Sequence, residues 1–98
     1  MPGWRYFRTR EVGAARAWAA LGGVAVHENL FGSRGRRSAH LLAQSETALL
    51  AAAAAVGCPP EWMQRTRTVH FDLVGPYLER ALVRCGVDLI PGPPARAP

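Results

Sequence analysis

The chain has 98 residues, of which 49% are hydrophobic and 19% charged, so we expect one folded domain with a modest core. No apolar run approaches the roughly 20 residues that cross a bilayer. No apolar segment follows the basic N-terminus as in a secretory signal, so we expect a cytoplasmic protein without a membrane segment. All twelve basic residues are arginine, which excludes Schiff-base and other lysine-nucleophile chemistry.

The positive charge is concentrated in the first part of the chain. Residues 1–37 carry seven arginines against two acidic residues, whereas residues 38–98 carry five of each. This imbalance favours an anionic partner, either nucleic acid or a phosphorylated small molecule. The alternative is a solvated arginine surface without a partner, because net charge also promotes solubility.

The first predicted element is a helix over residues 9–23. Thr9 can cap its beginning, alanine and arginine favour its interior, and Gly22 can end it. We interpret residues 1–22 as a helical N-terminal extension ahead of the main domain. The next predicted elements are a strand over 23–28, a basic glycine-containing loop over 29–38, and a strand over 39–43.

The second half of the chain predicts two helices and further strands. The clearest helix covers residues 46–56, with Ser45 as its N-cap and Gly57 following its end. The remaining predicted elements are a turn at 58–62, a brief strand at 62–64, a strand at 69–73, a helix at 75–86, a strand at 87–90 and a disordered proline-rich tail at 91–98.

Strands that alternate with helices favour an α/β fold. We therefore expect residues 23–90 to form a single small domain with a mainly parallel or mixed sheet of about four short strands. Two helices would pack on that sheet, with the N-terminal helix as an addition. In sheets of this kind, ligands tend to bind beyond the carboxyl ends of the strands.

Polar residues in or beside the predicted strands are the candidates for chemistry. VHFDL, residues 69–73, alternates apolar and polar residues, so His70 and Asp72 should share one face. His40 lies in the preceding strand, and His27 and Glu28 end the one before it. Burying such groups unpaired costs about 1–3 kcal/mol each, and contact between these side chains would avoid that cost.

Imidazoles and carboxylates brought together can ligate a divalent metal such as Zn²⁺, Mn²⁺ or Fe²⁺. They can also form a general acid/base pair in which Asp72 orients His70. The alternative for each histidine is a hydrogen-bonded structural side chain at a strand end.

Five arginines are candidates for contacting phosphate. The loop FGSRGRR, residues 31–37, combines two glycines with three arginines, but it lacks the Lys-Ser/Thr ending of a P-loop. Two further arginines alternate just before VHFDL and should line the same cleft. The five are Arg34, Arg36, Arg37, Arg65 and Arg67.

Three short motifs, in order, resemble domain-of-unknown-function family 4031, a group of small bacterial and phage proteins. His40-Leu41 is similar to the family's His-Leu position, Trp62-Met63-Gln64 to its Trp-Phe-Gln, and His70-Phe71-Asp72 to its His-Tyr-Asp. The resemblance covers about residues 24–90. It implies that the histidines and Asp72 belong to a recurring pattern. The family's pair of aspartates is replaced here by His27-Glu28.

The leading hypothesis is metal-assisted phosphoester hydrolysis on a nucleotide or nucleic acid. His40, His70 and Asp72 would ligate the metal, Glu28 or a bound water would act as the base, and Gln64 would join the arginines in contacting the ligand. The rival hypothesis is a non-catalytic nucleic-acid- or protein-binding module with structural histidines. A homodimer formed through a strand edge or the N-terminal helix is a third hypothesis.

Overall fold

The computed structural model describes residues 3–29 and 37–87, which form a five-stranded sheet with helices on both faces. The strands are β1 (Trp4–Phe7), β2 (Val24–Glu28), β3 (Ala39–Leu42), β4 (Gln64–Arg65) and β5 (Val69–Leu73). The α-helices are α1 (Val12–Ala20), α2 (Glu46–Ala55) and α3 (Gly75–Arg84), and the two short 3₁₀ helices cover Thr9–Glu11 and Pro60–Trp62.

The sheet is mixed, with strand order β1-β2-β3-β5-β4. Strands β1 and β2, which helix α1 connects along the chain, pair in parallel. The other three pairings are antiparallel. The α/β class and the mixed sheet are thus confirmed, while a mainly parallel sheet is not formed. For β2 and β3 the reason is the short connection of residues 29–38, because a parallel crossover takes a dozen or more residues.

The N-terminal segment contains a strand that the sequence interpretation did not include. Trp4–Phe7 pair with Val24–His27, and Phe7 is buried beneath helix α1. The helix itself begins at Val12, after a 3₁₀ turn, and ends before Gly22, whose φ of +98° is the left-handed conformation expected after a helix. Residues 3–22 are therefore an integral part of the domain rather than an extension ahead of it.

Both helices predicted for the second half are confirmed, and their ends lie within two residues of the predicted ones. The hydroxyl of Ser45 accepts a hydrogen bond from the backbone N–H of Ala48 at 3.1 Å and so caps α2. Gly57 and Gly86 follow α2 and α3 with φ values of +85° and +74°. Pro76 lies in the first turn of α3, where its missing N–H is not needed.

The core has one layer on each face of the sheet. On one face, α2 and α3 pack against β3 and β5 through fully buried side chains such as Leu41, Leu49, Phe71 and Leu82. On the other face, α1 packs over β1 and β2 through a smaller cluster: Phe7, Ala15, Ala19, Ala25 and Leu42. Helix α1 packs mainly over β1 and β2, and the candidate site lies beside the start of α1, on the same face of β3 and β5.

The predicted brief strand at 62–64 appears as β4, which starts at Gln64 and pairs with β5. The predicted strand at 87–90 is not seen at Val87, which follows α3 without regular structure. Residues 88–90, the proline-rich tail at 91–98 and residues 30–36 of the basic loop lie outside the described residues.

Candidate metal centre

The register of β3 against β5 brings together three of the predicted site residues. His40 lies directly opposite Asp72, while Ala39 and Leu41 on either side pair with Leu73 and Phe71 in the core. Because side chains alternate along a strand, His40, His70 and Asp72 all face the same side of the sheet. We call these three residues the His–Asp cluster.

The His–Asp cluster converges on one carboxylate oxygen. The Nε2 atoms of His40 and His70 each lie 3.3 Å from Oδ1 of Asp72. One potential ligand atom from each residue falls within a span of 4.8 Å. A tetrahedral metal with ligand bonds of about 2.0–2.1 Å separates its ligand atoms by about 3.3–3.4 Å, so the two short distances suit Zn²⁺.

The backbone determines which nitrogen of His70 carries a proton. Its Nδ1 lies 2.7 Å from the carbonyl oxygen of Thr68, which can only accept, so Nδ1–H is the donor. In the neutral ring, Nε2 therefore presents a lone pair to the carboxylate of Asp72. Two lone pairs at 3.3 Å repel each other unless a cation, either a metal ion or a second proton, lies between them.

Gln64 supports the cluster from the neighbouring strand. It pairs with His70 in the β4–β5 register, and its amide Nε2 donates to Oδ2 of Asp72. Oδ2 is thus engaged while Oδ1 faces the imidazoles, which fixes the orientation of the carboxylate. The sequence predicts a contact between Gln64 and the ligand, and the structure places the Gln64 amide on the carboxylate of Asp72.

The three side chains of the cluster differ in burial. The His70 side chain is only 12% exposed, whereas that of Asp72 is 45% exposed, so the cluster opens to solvent on the carboxylate side. Burial, reinforced by the neighbouring His70, lowers the pKa of His40, and the charge of Asp72 opposes this shift. His40 Nε2 also lies 3.3 Å from the amide nitrogen of Asn29.

His27 lies beside the cluster without joining it. It is buried opposite His40 in the β2–β3 register, with ring centroids 6.1 Å apart. Its Nε2 donates to the carbonyl oxygen of Thr9 at 2.9 Å, which ties the 3₁₀ turn before α1 to the sheet. This is the structural role that the sequence left open as the alternative.

Glu28 does not reach the cluster, so its proposed role as a base is not supported. It is the residue after His27 and lies opposite Ala39, whose side chain is in the core formed with α2 and α3. Glu28 therefore projects from the face of the sheet opposite the cluster. There it interacts with the hydroxyl of Tyr6. Burial raises the pKa of Tyr6, and Arg37 and Glu28 act on that pKa in opposite directions.

The five predicted phosphate-binding arginines are divided among different places. Arg34 and Arg36 lie outside the described residues, and Arg37 is near Tyr6 on the face opposite the cluster. Arg65 forms an ion pair with Glu46 at the start of α2. Of the three predicted arginines that the structure describes, only Arg67 lines the cleft of the cluster, from the turn that follows β4.

A cavity of about 260 Å³ borders His40 and His70. It lies between the start of α1 and the turn that joins β4 to β5, and we call it the histidine cavity. Arg16 of α1 lines it and was not anticipated, since nothing in the spacing of an amphipathic helix indicates which strand it faces. Asn29 was also missed, although its place directly after His27-Glu28 is a usable signal.

Comparison with protein-family models, with curated proteins and with solved structures finds no match for this chain. The resemblance to family 4031 therefore stays a prediction. Among residues 3–29 and 37–87, no helix combines the length and apolar character that a bilayer crossing requires.

Proposed function

We propose that the protein is a divalent-metal-dependent hydrolase that acts on a phosphoester of a nucleotide or nucleic acid. The His–Asp cluster would hold the metal, with His40 and His70 binding through Nε2 and Asp72 through Oδ1. The observation that carries this proposal is the hydrogen bond from His70 Nδ1 to Thr68, since it leaves the Nε2 lone pair aimed at Asp72.

The contacts around the cluster support a metal site. Metal-binding histidines usually donate their second ring N–H to a carbonyl or carboxylate, and ligating carboxylates are usually hydrogen-bonded in turn. Thr68 and Gln64 supply these two contacts. The alternative is a proton shared between His70 and Asp72. That arrangement would explain neither why His40 approaches the same oxygen nor why Gln64 holds the carboxylate, whereas a metal site uses both contacts.

The three ligands suit a catalytic metal site better than a structural one. Structural zinc sites are closed by four protein ligands, whereas catalytic sites combine three protein ligands with an open position for water or substrate. The described residues supply three ligands, and the cluster is open to solvent at Asp72. A divalent cation held there by His40, His70 and Asp72 would supply a Lewis acid for a phosphoryl oxygen and would activate a water molecule.

The first experiment measures the metal content of the purified, untagged protein after exposure to zinc, manganese and iron, all three of which accept two histidines and a carboxylate. We expect about one metal ion per chain, and loss of that metal in His70→Ala and Asp72→Asn. His27→Gln is the matched control, because it changes the remaining histidine and should retain the metal. Circular dichroism of each variant checks the fold.

Hydrolysis of 4-nitrophenyl phosphate and its bis-ester by the metal-loaded protein tests the activity. It should disappear with the metal in both cluster variants and persist in the control. Equal metal content in the wild type and both cluster variants would refute the site. Binding to nucleic acid that falls steeply with salt but ignores chelators and the His70 substitution would instead favour the non-catalytic binding module.

A further inference from the structure

The histidine cavity is lined by basic and hydroxyl side chains in addition to the candidate metal ligands. Besides His40 and His70, two arginines and two threonines line it: Arg16, Arg67, Thr66 and Thr68. No acidic side chain of the described residues lines this cavity. Such a surface attracts an anion and offers it hydrogen-bond donors from several directions.

Arg16 lines the cavity from helix α1. Its Nη2 donates to the hydroxyl of Thr68 at 3.3 Å, which links α1 to the β4–β5 turn. That contact uses one of the five N–H donors of the guanidinium, and within the described chain no carboxylate pairs with it. Arg16 can therefore bind an anion without first breaking an ion pair.

The turn that carries Arg67 is ordered by its own hydrogen bonds. The carbonyl oxygen of Thr68 accepts both the hydroxyl of Thr66 at 3.1 Å and Nδ1 of His70 at 2.7 Å. The same residue thus orients a candidate metal ligand and, through its hydroxyl, contacts Arg16. Arg67 has no carboxylate partner within the described chain, in contrast to Arg65, which pairs with Glu46.

We propose that Arg16 and Arg67 bind the terminal phosphate of a phosphomonoester, so that the hydrolase proposed above removes end phosphates rather than cutting within a chain. Two guanidiniums match the double charge of a monoester better than the single charge of a diester. A cavity of about 260 Å³ lies below the roughly 300–1,000 Å³ of typical small-molecule sites, so it admits the phosphate and leaves most of the organic group outside.

The reaction needs only water as a second reactant. The water oxygen forms a new bond to phosphorus, the bond from phosphorus to the ester oxygen breaks, and the water's proton ends on the departing alcohol. The products are inorganic phosphate and an alcohol. Arg16 and Arg67 would hold the phosphoryl oxygens throughout, beside the imidazoles of His40 and His70.

The test measures binding of inorganic phosphate and of dimethyl phosphate, a singly charged diester, by calorimetry. We expect inorganic phosphate to bind the wild type at least tenfold more tightly than dimethyl phosphate. Arg16→Gln and Arg67→Gln should each weaken phosphate binding at least tenfold. Arg84→Gln removes the same charge from helix α3, where Arg84 lies over the ring of Trp4, and should change binding less than twofold.

Two further measurements separate this inference from the metal proposal. Metal content should be unchanged in Arg16→Gln and Arg67→Gln, because neither residue belongs to the His–Asp cluster. Phosphate binding is also measured on metal-free protein, where the two arginine variants should still bind more weakly than wild type even if no metal site exists. Equal weakening in all three arginine variants, or none in any, would overturn the phosphate site.

The source of the monoester is distinguished with thymidine 5′-monophosphate and a 5′-phosphorylated oligothymidylate. Similar affinity for both supports recognition of the end phosphate alone. An oligothymidylate without the terminal phosphate that binds equally well would overturn the inference, because internal diesters would then suffice.

Discussion

Substitution of Gly23 by alanine should destabilise the protein through Trp18. Gly23 is buried between α1 and β2, and a methyl group there would lie 2.6 Å from Cδ1 and 2.8 Å from Cε2 of the Trp18 indole. The indole cannot easily move aside. Its Nε1 donates to the carbonyl oxygen of Gly3 at 2.9 Å, and Arg5 lies 5.4 Å from the ring centroid.

The expected cost has two parts. Forcing a side chain out of a packed position costs about 1–3 kcal/mol, and loss of a hydrogen bond costs about 0.5–1.5 kcal/mol. The free energy of unfolding of Gly23→Ala should therefore fall by about 2–4 kcal/mol, which lowers the midpoint of thermal unfolding by roughly 10–20 °C in a domain of this size.

Urea unfolding followed by tryptophan fluorescence measures this change. Gly13→Ala is the control, because a methyl group at Gly13 meets nothing within 4 Å and should stabilise helix α1 by about 0.5 kcal/mol. In a Trp18→Ala background the cost of Gly23→Ala should drop below about 1 kcal/mol. An unchanged cost in that background, or a Gly23→Ala variant as stable as wild type, would refute the argument.

Three further outcomes are expected. Burial raises the pKa of the Cys85 thiol to about 12, and burial also raises the pKa of Cys58 from its usual value. At pH 8 both thiols should therefore react with a chromogenic disulfide reagent far more slowly than in the urea-unfolded chain; equal rates would contradict the burial. Ser45→Ala removes the cap of α2 and should cost about 1 kcal/mol in urea unfolding, and a neutral result would mean that the cap contributes nothing. Gln64→Ala should weaken metal binding about 10–100-fold in a calorimetric titration, because the Asp72 carboxylate loses the donor that orients it; unchanged affinity would remove Gln64 from the site.

The helices of the second half were predictable because their ends carry local signals. Ser45 and Gly57 bound α2, and Pro76 and Gly86 bound α3. Ser45 acts through the hydroxyl that caps its helix and the other three through their backbone conformation, so each signal is local to one helix. Strand β1 had no such signal. Its four residues, Trp4–Phe7, are stabilised by pairing with β2 some twenty residues later, which local propensity does not report.

The candidate site was predictable as far as alternation reached. Period two placed His70 and Asp72 on one face, and the β3–β5 register brings the third predicted ligand, His40, opposite Asp72, a pairing that the sequence alone could not specify. The same rule should have excluded Glu28, because it adjoins His27 and must face the other way. The role of Arg16 could not be predicted from the sequence, because its position in the cavity depends on how α1 lies across the sheet.

The His–Asp cluster is drawn from β3 and β5, which are adjacent in space but separated along the chain by α2 and β4. Insertions or deletions within the surface loops of that connection can therefore occur without disturbing the cluster. A single inserted residue inside β3 or β5 would instead turn His40, or His70 and Asp72, toward the core and bring apolar side chains to their place. Length variation among homologous chains should thus be confined to the connection, with both ligand strands free of gaps.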